Sequence, residues 1–127
     1  MSHRFQKHYS IEEARALLPL VRCWLERLQE LRDQVVECER RLDGLMTPGA
    51  DFGGPLVNQM VRALAVSREV LYEFYSRELQ LKDIDRGLVD FPAIIAGREV
   101  FLCWEKDEPD IEHWHDLDAG FAGREPL

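Results

Sequence analysis

The sequence lacks any apolar run long enough to cross a membrane, and its first residues lack the apolar stretch of a signal peptide. It is also poor in cysteine, with three residues at spacings that do not suggest a disulfide framework. These absences predict a soluble, cytoplasmic protein with reduced thiols and no membrane contact. With 127 residues and 46% hydrophobic content, the chain is expected to form a single domain, residues 1–127.

Basic side chains are scarce in the second part of the chain. The net charge is −8, and residues 1–82 are balanced, with 12 acidic and 12 basic side chains. Residues 83–127 hold 12 acidic and 4 basic side chains and so carry the whole excess. Because such a region repels phosphate backbones, nucleic-acid binding is not expected, whereas cations or a basic partner fit this part of the chain better.

Two helical patterns occupy residues 1–82. Ser10 and Glu13 form a capping box, after which apolar residues recur every three or four positions over a long segment. The glycine- and proline-rich loop 44–55 precedes a second such pattern, which begins at Val57. Each apolar stripe needs a partner, so we expect a long antiparallel helical hairpin, part of which pairs with a second chain.

Residues 83–127 change from helical periodicity to alternation. The runs GLVDFPAII and REVFLCW flank Ala96-Gly97, and IEHWH follows the turn-prone EKDEPD. These runs predict a small three-stranded antiparallel β-meander and a C-terminal tail, giving an α+β fold that is mostly α. Asp83 and Asp85 are expected to cap the connection that leaves the second helix, before any strand.

The first turn of the meander sets a testable register. If Ala96-Gly97 is a two-residue hairpin loop, Asp90 lies directly opposite Cys103, on the face away from a wholly apolar row. That row should lie against the helices; it consists of Val89, Phe91, Ala93, Val100, Leu102 and Trp104. This pairing therefore separates an apolar face from a face that carries reactive side chains.

The second turn is open to two registers. A five-residue loop, 106–110, would place His113 opposite Cys103 and His115 opposite Phe101. A loop one residue shorter would turn both histidines towards the core. Trp114 favours the first register, because its apolar side chain then joins the apolar face.

The first register gathers possible metal ligands on one face. Asp90, Cys103, His113 and His115 share that face, and with Asp116 next to His115 they offer ligand types that suit zinc or another divalent transition metal. The sequence has no CxxC pair, HExxH helix or EF-hand loop, so the alternative is a buried Cys103 with His115 and Asp116 in local hydrogen bonds. A nucleophilic Cys103 paired with a histidine is a further hypothesis, but no oxyanion donor is visible.

Three further residues are candidates for binding. Arg124 is expected to form an ion pair with Asp116, Asp118 or Asp90, although it could instead clamp an anion. Arg98 could likewise take an anionic group, in a cleft between the sheet and the helices. Trp104 completes this group of candidate contacts.

The phrases GLVDFPA, LCW, WHD and GFAGR, together with YSIEEARALLPLV near the start, resemble a family of small bacterial proteins, domain of unknown function 2203. The resemblance spans most of the chain and implies no activity and no catalytic residue. It places these residues within the characteristic motifs: Asp90, Cys103, Trp104, His115, Asp116, Gly120, Phe121, Gly123 and Arg124. His113 stands in no such motif, which favours His115 and Asp116 over it as ligands.

Two functions follow from these patterns. The first is an interaction module, in which the long hairpin forms a homodimer or grips a helical protein partner. The second is a metal-binding protein, a sensor or small metalloenzyme, that uses the Asp/Cys/His cluster. The length of the helical seam favours the first, and convergence of Asp90, Cys103 and His115 would favour the second.

Overall fold

A computed structural model describes residues 2–45 and 54–127 and contains a helical hairpin beside an antiparallel sheet. Helix α1 spans Ile11–Leu45 and helix α2 spans Gly54–Tyr75. The capping box forms as predicted: Ser10 Oγ accepts from the backbone N–H of Glu13 at 3.0 Å, and Glu13 Oε1 accepts from the backbone N–H of Ser10 at 3.1 Å.

The boundaries of the hairpin differ slightly from the prediction. The ends of the predicted loop 44–55 belong to the two helices, and residues 46–53 of that loop lie outside the described residues. The second helix also ends earlier than the predicted boundary after residue 82. Among the described residues, neither helix contains a stretch that is both long and apolar enough to cross a membrane.

The sheet has five strands, where the sequence predicted three. The strands lie side by side in chain order, each antiparallel to the next. They are β1 (Gln80–Asp83), β2 (Leu88–Ile95), β3 (Arg98–Glu105), β4 (His113–Asp116) and β5 (Glu125–Pro126), with a short 3-10 helix at Phe121–Gly123 before the last strand. The predicted meander corresponds to β2, β3 and β4, and β1 and β5 extend it at both edges.

The role predicted for Asp83 and Asp85 is wrong, because strand β1 begins at Gln80, before either residue, so neither lies between the second helix and the first strand. Asp83 is the last residue of β1, and its Oδ1 accepts from the backbone N–H of Arg86 at 3.1 Å. It therefore shapes the turn between β1 and β2. Asp85 lies in that same turn and forms an ion pair with Arg32 of α1.

Both predicted registers of the meander are confirmed. Ala96 and Gly97 have positive φ angles of 52° and 77°, as the tightest hairpin turns require. Asp90 then pairs with Cys103, and Cys103 pairs with His113 on its other side. The six residues of the predicted apolar row are at most 2% exposed and pack against the helices.

The opposite face of the sheet is also covered. Phe5, from the segment before α1, packs on Phe101 of β3 with ring centroids 5.4 Å apart. Residues that follow β4, among them Leu117 and Phe121, lie over the remaining part of this face. The segment before α1 and the residues that follow β4 thus enclose a second buried region, on the face of the sheet away from the helices.

Candidate functional site

Three side chains from three neighbouring strands meet beneath this cover. Asp90 comes from β2, Cys103 from β3 and His115 from β4. They are only 3%, 1% and 2% exposed, and one ligand atom from each lies within 4.8 Å of the others. Asp90 pairs directly with Cys103, and His115 pairs with Phe101, two residues before Cys103. Because side chains alternate between the two faces along a strand, all three side chains lie on the same face of the sheet.

Hydrogen bonds orient the His115 ring. Its Nδ1 lies 2.8 Å from the backbone oxygen of Asp116, and since a carbonyl oxygen can only accept, Nδ1 carries a proton. Nε2 lies 3.1 Å from Oδ2 of Asp90, so one further proton is shared between these two atoms. This arrangement leaves Nε2 as the atom that could bind a metal, with Nδ1 held by a backbone carbonyl as in many metal-binding histidines.

Burial suppresses the charged forms of the other two groups. It raises the pKa of the Asp90 carboxyl, despite the opposing effect of His115. Burial also raises the pKa of the Cys103 thiol to about 12, and the neighbouring Asp90 carboxyl adds to this effect. Asp90 Oδ1 has no hydrogen-bond partner of normal geometry among the described residues, although the Cys103 thiol is close enough for it and the Asp90 carboxyl to shift each other's pKa. A buried carboxylate oxygen without a partner is costly, which marks this position as unusual.

The raised pKa of Cys103 bears on the hypothesis of a nucleophilic cysteine. A thiol reacts as a nucleophile in its thiolate form, and a pKa of about 12 leaves almost none of that form near neutral pH. His115 is engaged with Asp90 and a backbone carbonyl through its two ring nitrogens. Both features argue against Cys103 as an attacking group in the metal-free protein.

Arg124 forms an ion pair, but with a partner that the sequence did not suggest. Its Nη1 donates to Glu108 Oε1 at 2.8 Å, rather than to Asp116, Asp118 or Asp90. The Arg124 guanidinium also lowers the pKa of the Cys103 thiol, which partly opposes the effect of burial. Glu108 therefore balances a positive charge that stands next to the thiol.

Asp116 and Arg98 are not part of the cluster. Asp116 follows His115 in the strand, so its side chain points to the other face, where it forms an exposed ion pair with Arg98. Arg98 also lies over the Trp114 ring, 5.6 Å from its centroid. Of the four predicted metal ligands, the structure brings together Asp90, Cys103 and His115.

Trp104 and His113 also lie outside the cluster. Trp104 is fully buried on the helix side of the sheet, and its Nε1 donates to the backbone oxygen of Glu108 at 3.1 Å. It therefore contributes to the core rather than to a ligand surface. His113 lies opposite Cys103, but its Nδ1 is 3.4 Å from Glu108 Oε2 and its ring is not among the three convergent groups.

Lys82 is a neighbour of the cluster that sequence reasoning missed. Leu81 pairs with Val89 and Asp83 pairs with Leu88, so Lys82 is the extra residue of a β-bulge. Its Nζ lies 5.4 Å from the centroid of the Phe101 ring, on the face that carries Asp90. A bulge in a short edge strand leaves no periodic signal in the sequence, so Lys82 could not have been found from the sequence.

A second group of potential ligands lies near the chain start, but its members are already engaged. His3, His8 and Glu99 bring one ligand atom each within 4.8 Å of the others. Glu99 accepts from His8 Nε2 at 2.7 Å and from the backbone N–H groups of Arg4 and Phe5. Because His3 is exposed and Glu99 anchors the backbone, this group is best explained as a clamp on the residues before α1.

A larger, separate groove of about 760 Å³ lies between the residues before α1 and the end of α2. Glu78 lines it, and its carboxylate accepts from the backbone N–H groups of Gln6 and Lys7. A smaller cavity of about 230 Å³ adjoins the cluster and includes Asp90, Cys103 and His115 in its wall. Size alone therefore does not identify the site, and the convergent side chains favour the smaller cavity.

Fold and site together define an α+β protein in which a helical hairpin packs on one face of a five-stranded sheet and a buried Asp/Cys/His cluster lies on the other. The chain belongs to the family described as uncharacterized conserved protein (DUF2203), whose model matches residues 7–127. No curated protein and no solved structure matches the chain at a significant level.

Proposed function

We propose that this protein binds a divalent transition metal, most suitably zinc, through Asp90 Oδ1 or Oδ2, Cys103 Sγ and His115 Nε2. One observation carries the proposal: three good zinc ligands from three strands converge in a buried site, and a carboxylate oxygen there lacks a partner. A bound cation would supply the partner that the described residues do not.

The spacing of the ligand atoms is compatible with a metal. In a tetrahedral zinc site with bonds of about 2.0–2.3 Å, ligand atoms lie roughly 3.3–3.7 Å apart. The present atoms lie within 4.8 Å of one another, and the Nε2 to Oδ2 distance is 3.1 Å. The widest pair would need to close by about 1 Å, which side-chain rotation can supply.

The charges also balance. Without metal the cluster holds the thiol proton of Cys103 and the proton shared by Asp90 and His115, so its net charge is zero. A zinc ion that displaces both protons leaves a thiolate, a carboxylate and a neutral imidazole, and the net charge is again zero. Replacing the two protons with a zinc ion therefore leaves no uncompensated charge in the buried site, and such a charge would be the main energetic cost of metal binding.

The surroundings support the ligands. The Asp116 carbonyl accepts from Nδ1–H and keeps Nε2 turned towards the site, and the neighbouring positive charge of Arg124 would stabilise the Cys103 thiolate. Glu108 compensates the charge of Arg124. Three protein ligands leave one tetrahedral position open, as in zinc sites that bind water or another small molecule.

Cobalt binding provides the test, because Co²⁺ replaces zinc in tetrahedral sites and absorbs visible light. Untagged protein that has been freed of metal should give visible d–d bands and a near-ultraviolet thiolate-to-cobalt band on titration, and zinc should abolish both. Cys103→Ser should lose the thiolate band. Cys38→Ser, which changes a buried cysteine of the hairpin, and Cys23→Ser, which changes an exposed one, should retain it.

The proposal is wrong if the wild-type protein shows no cobalt bands and no thermal shift with zinc, nickel, manganese or iron. It is also wrong if Cys103→Ser retains the thiolate band, since the metal would then be bound elsewhere. Either result would leave the cluster as a purely structural hydrogen-bonded group.

A second candidate function is homodimerisation through α2. The observation that favours it is an apolar stripe, between 40% and 80% exposed, on a flank of α2 beside the face that packs on α1. The stripe consists of Val57, Val61, Leu64, Leu71 and Tyr75. With Arg68 these positions alternate in steps of four and three, the spacing of a coiled-coil seam.

The steps between successive stripe positions, including Arg68, are four, three, four, three and four residues, and this order is the same in both chain directions. A second copy running antiparallel about a two-fold axis would therefore place Val57 against the partner's Tyr75 and Val61 against the partner's Leu71. The two central Arg68 side chains are long enough to bury their methylene groups and keep their charges in water. A second copy is thus a better match for this stripe than an unrelated helix.

Analytical ultracentrifugation tests this second function. The wild-type protein should sediment as a dimer, and Val61→Glu, which places a carboxylate against the partner's Leu71, should give a folded monomer. Val36→Glu is the matched control, because Val36 is an exposed apolar residue of α1 away from the stripe, and this variant should remain dimeric. A monomeric wild-type protein at all attainable concentrations, or a dimeric Val61→Glu variant, would refute the α2 interface.

A further inference from the structure

The cavity beside the cluster has one charged group that the cluster does not use. The β-bulge directs Lys82 across Phe101 towards Asp90, and Lys82 also lines the cavity. Its ammonium forms no ion pair within residues 2–45 and 54–127. If Asp90 and Cys103 neutralise a bound metal, the positive charge of Lys82 is left without a counter-charge.

The remaining wall of the cavity is largely apolar. It is formed by Leu88, Phe101, Leu117, Ala119 and Phe121, together with the backbone at Gly120. The volume is about 230 Å³, below the range of roughly 300–1,000 Å³ that is typical of pockets for drug-sized ligands. At about 30 Å³ for each water-sized group, it has room for roughly eight non-hydrogen atoms.

We infer that this cavity binds a small organic carboxylate, which pairs with Lys82 and occupies the coordination position that Asp90, Cys103 and His115 leave open. The inference rests on the proposed metal site and extends it by naming the class of ligand. An anion fits because the site with metal bound retains one positive charge, and the apolar wall favours a short hydrocarbon portion over a second charged group.

Lys82 has a simpler alternative role, as a counter-charge for Asp90 in the metal-free protein. Its exposure and its position over the Phe101 ring are compatible with that role. The two roles differ in one measurable respect. A counter-charge affects metal loading through Asp90, whereas an anion-binding lysine affects carboxylate affinity with metal loading unchanged.

The experiment uses the full chain loaded with Co²⁺ and titrated with propionate and, separately, with benzoate. A carboxylate that takes the open position should shift the visible cobalt bands in a saturable manner. Lys82→Met should weaken carboxylate affinity by at least about tenfold, as expected for the loss of a charge-assisted hydrogen bond, and should leave cobalt affinity unchanged. Lys82→Arg should restore most of the affinity, and Lys7→Met, a lysine outside the cavity, should have no effect.

The outcomes separate this inference from the proposed function. A protein that gives no cobalt bands refutes the metal site and the carboxylate site together. Cobalt bands that neither carboxylate alters refute the carboxylate site alone. Equal carboxylate affinity in the wild-type and Lys82→Met proteins, or reduced cobalt loading in Lys82→Met, would overturn the role assigned to Lys82.

Discussion

The two faces of the sheet are buried to a similar degree but differ in chemistry. On the face that meets the helices, the six residues of the apolar row in β2 and β3 are at most 2% exposed. On the opposite face, Asp90, Cys103 and His115 are at most 3% exposed. Apolar burial explains the first face, since it stabilises the fold by about 25 cal/mol for each Å² removed from water.

Stability does not explain the second face. A buried carboxyl–imidazole pair gains less than its desolvation costs in many proteins, and apolar replacements of similar shape are often neutral or stabilising. The Asp90 oxygen without a partner adds to that cost. This contrast between the two faces underlies the proposed metal site, and the following predictions test it.

The largest loss of stability is expected on the apolar face. Trp104→Ala should lower the free energy of unfolding by about 4 kcal/mol, because a fully buried indole is removed and a cavity is left. Chemical denaturation measures this loss. Ile94→Ala is the control, since Ile94 is 40% exposed near the hairpin turn and should lose well under half as much. A small loss for Trp104→Ala would mean that this face is not the main core.

The second prediction concerns the polar face in metal-free protein. His115→Leu should cost about 3 kcal/mol, because Asp90 is then buried without its partner. The double change Asp90→Leu with His115→Leu should recover most of this loss, and the adjoining cavity has room for the larger side chain at position 90. Denaturation in the presence of a chelator compares the variants. If the double variant is as unstable as the single one, the Asp90–His115 pair itself stabilises the fold. The polar face would then contribute to stability as the apolar face does.

The third prediction tests the cover of the polar face. Hydrogen bonds from His8 and from the backbone N–H groups of Phe5 and Arg4 outweigh the effect of burial and lower the pKa of the Glu99 carboxyl to about 2. A lowered pKa in the folded state means that this stabilisation is complete above the ordinary value of 4.5 and is lost as the pH falls from 4.5 towards about 2.

Glu99→Gln should therefore destabilise the protein by about 2 kcal/mol near neutral pH, the usual range for hydrogen bonds to a charged group. The difference from the wild type should shrink as the pH falls below 4.5. Urea denaturation of both proteins across this range measures it. A difference that stays constant with pH would show that Glu99 does not anchor this segment through its charge.

The smallest effect is expected for Asp116, which sequence reasoning included among the metal ligands. Its ion pair with Arg98 is more than half exposed on both sides, and such pairs contribute about 0.5 kcal/mol or less. Asp116→Asn should therefore change stability little and leave cobalt binding intact. Loss of the cobalt bands in this variant would mean that the ligand set differs from Asp90, Cys103 and His115.

The meander could be predicted from the sequence because its signals are local and strong. Ala96-Gly97 specifies a tight hairpin, and strict alternation in the flanking runs then determines which side chains share a face. The same alternation places Asp90 beside Cys103 and brings His115 to their face. It also excludes Asp116, which follows His115 directly, although the chemistry of its side chain made it an attractive ligand.

The edge strands and the partners of the tail could not be predicted in this way. Strand β1 has four residues and contains a bulge, and β5 has two residues, one of them proline. Neither is long enough to show a period. The pairing of Arg124 with Glu108 depends on how the tail crosses the sheet, and no local pattern encodes that path.

The order of residues along the chain adds a consequence for how the site is filled. The strands that carry Asp90, Cys103 and His115 leave the ribosome before the segment 117–126 that lies over them. During synthesis the three ligand side chains are therefore accessible before their cover is complete. A metal ion captured at that stage would be enclosed when the tail folds down, so loading during biosynthesis should be faster than loading of the finished protein.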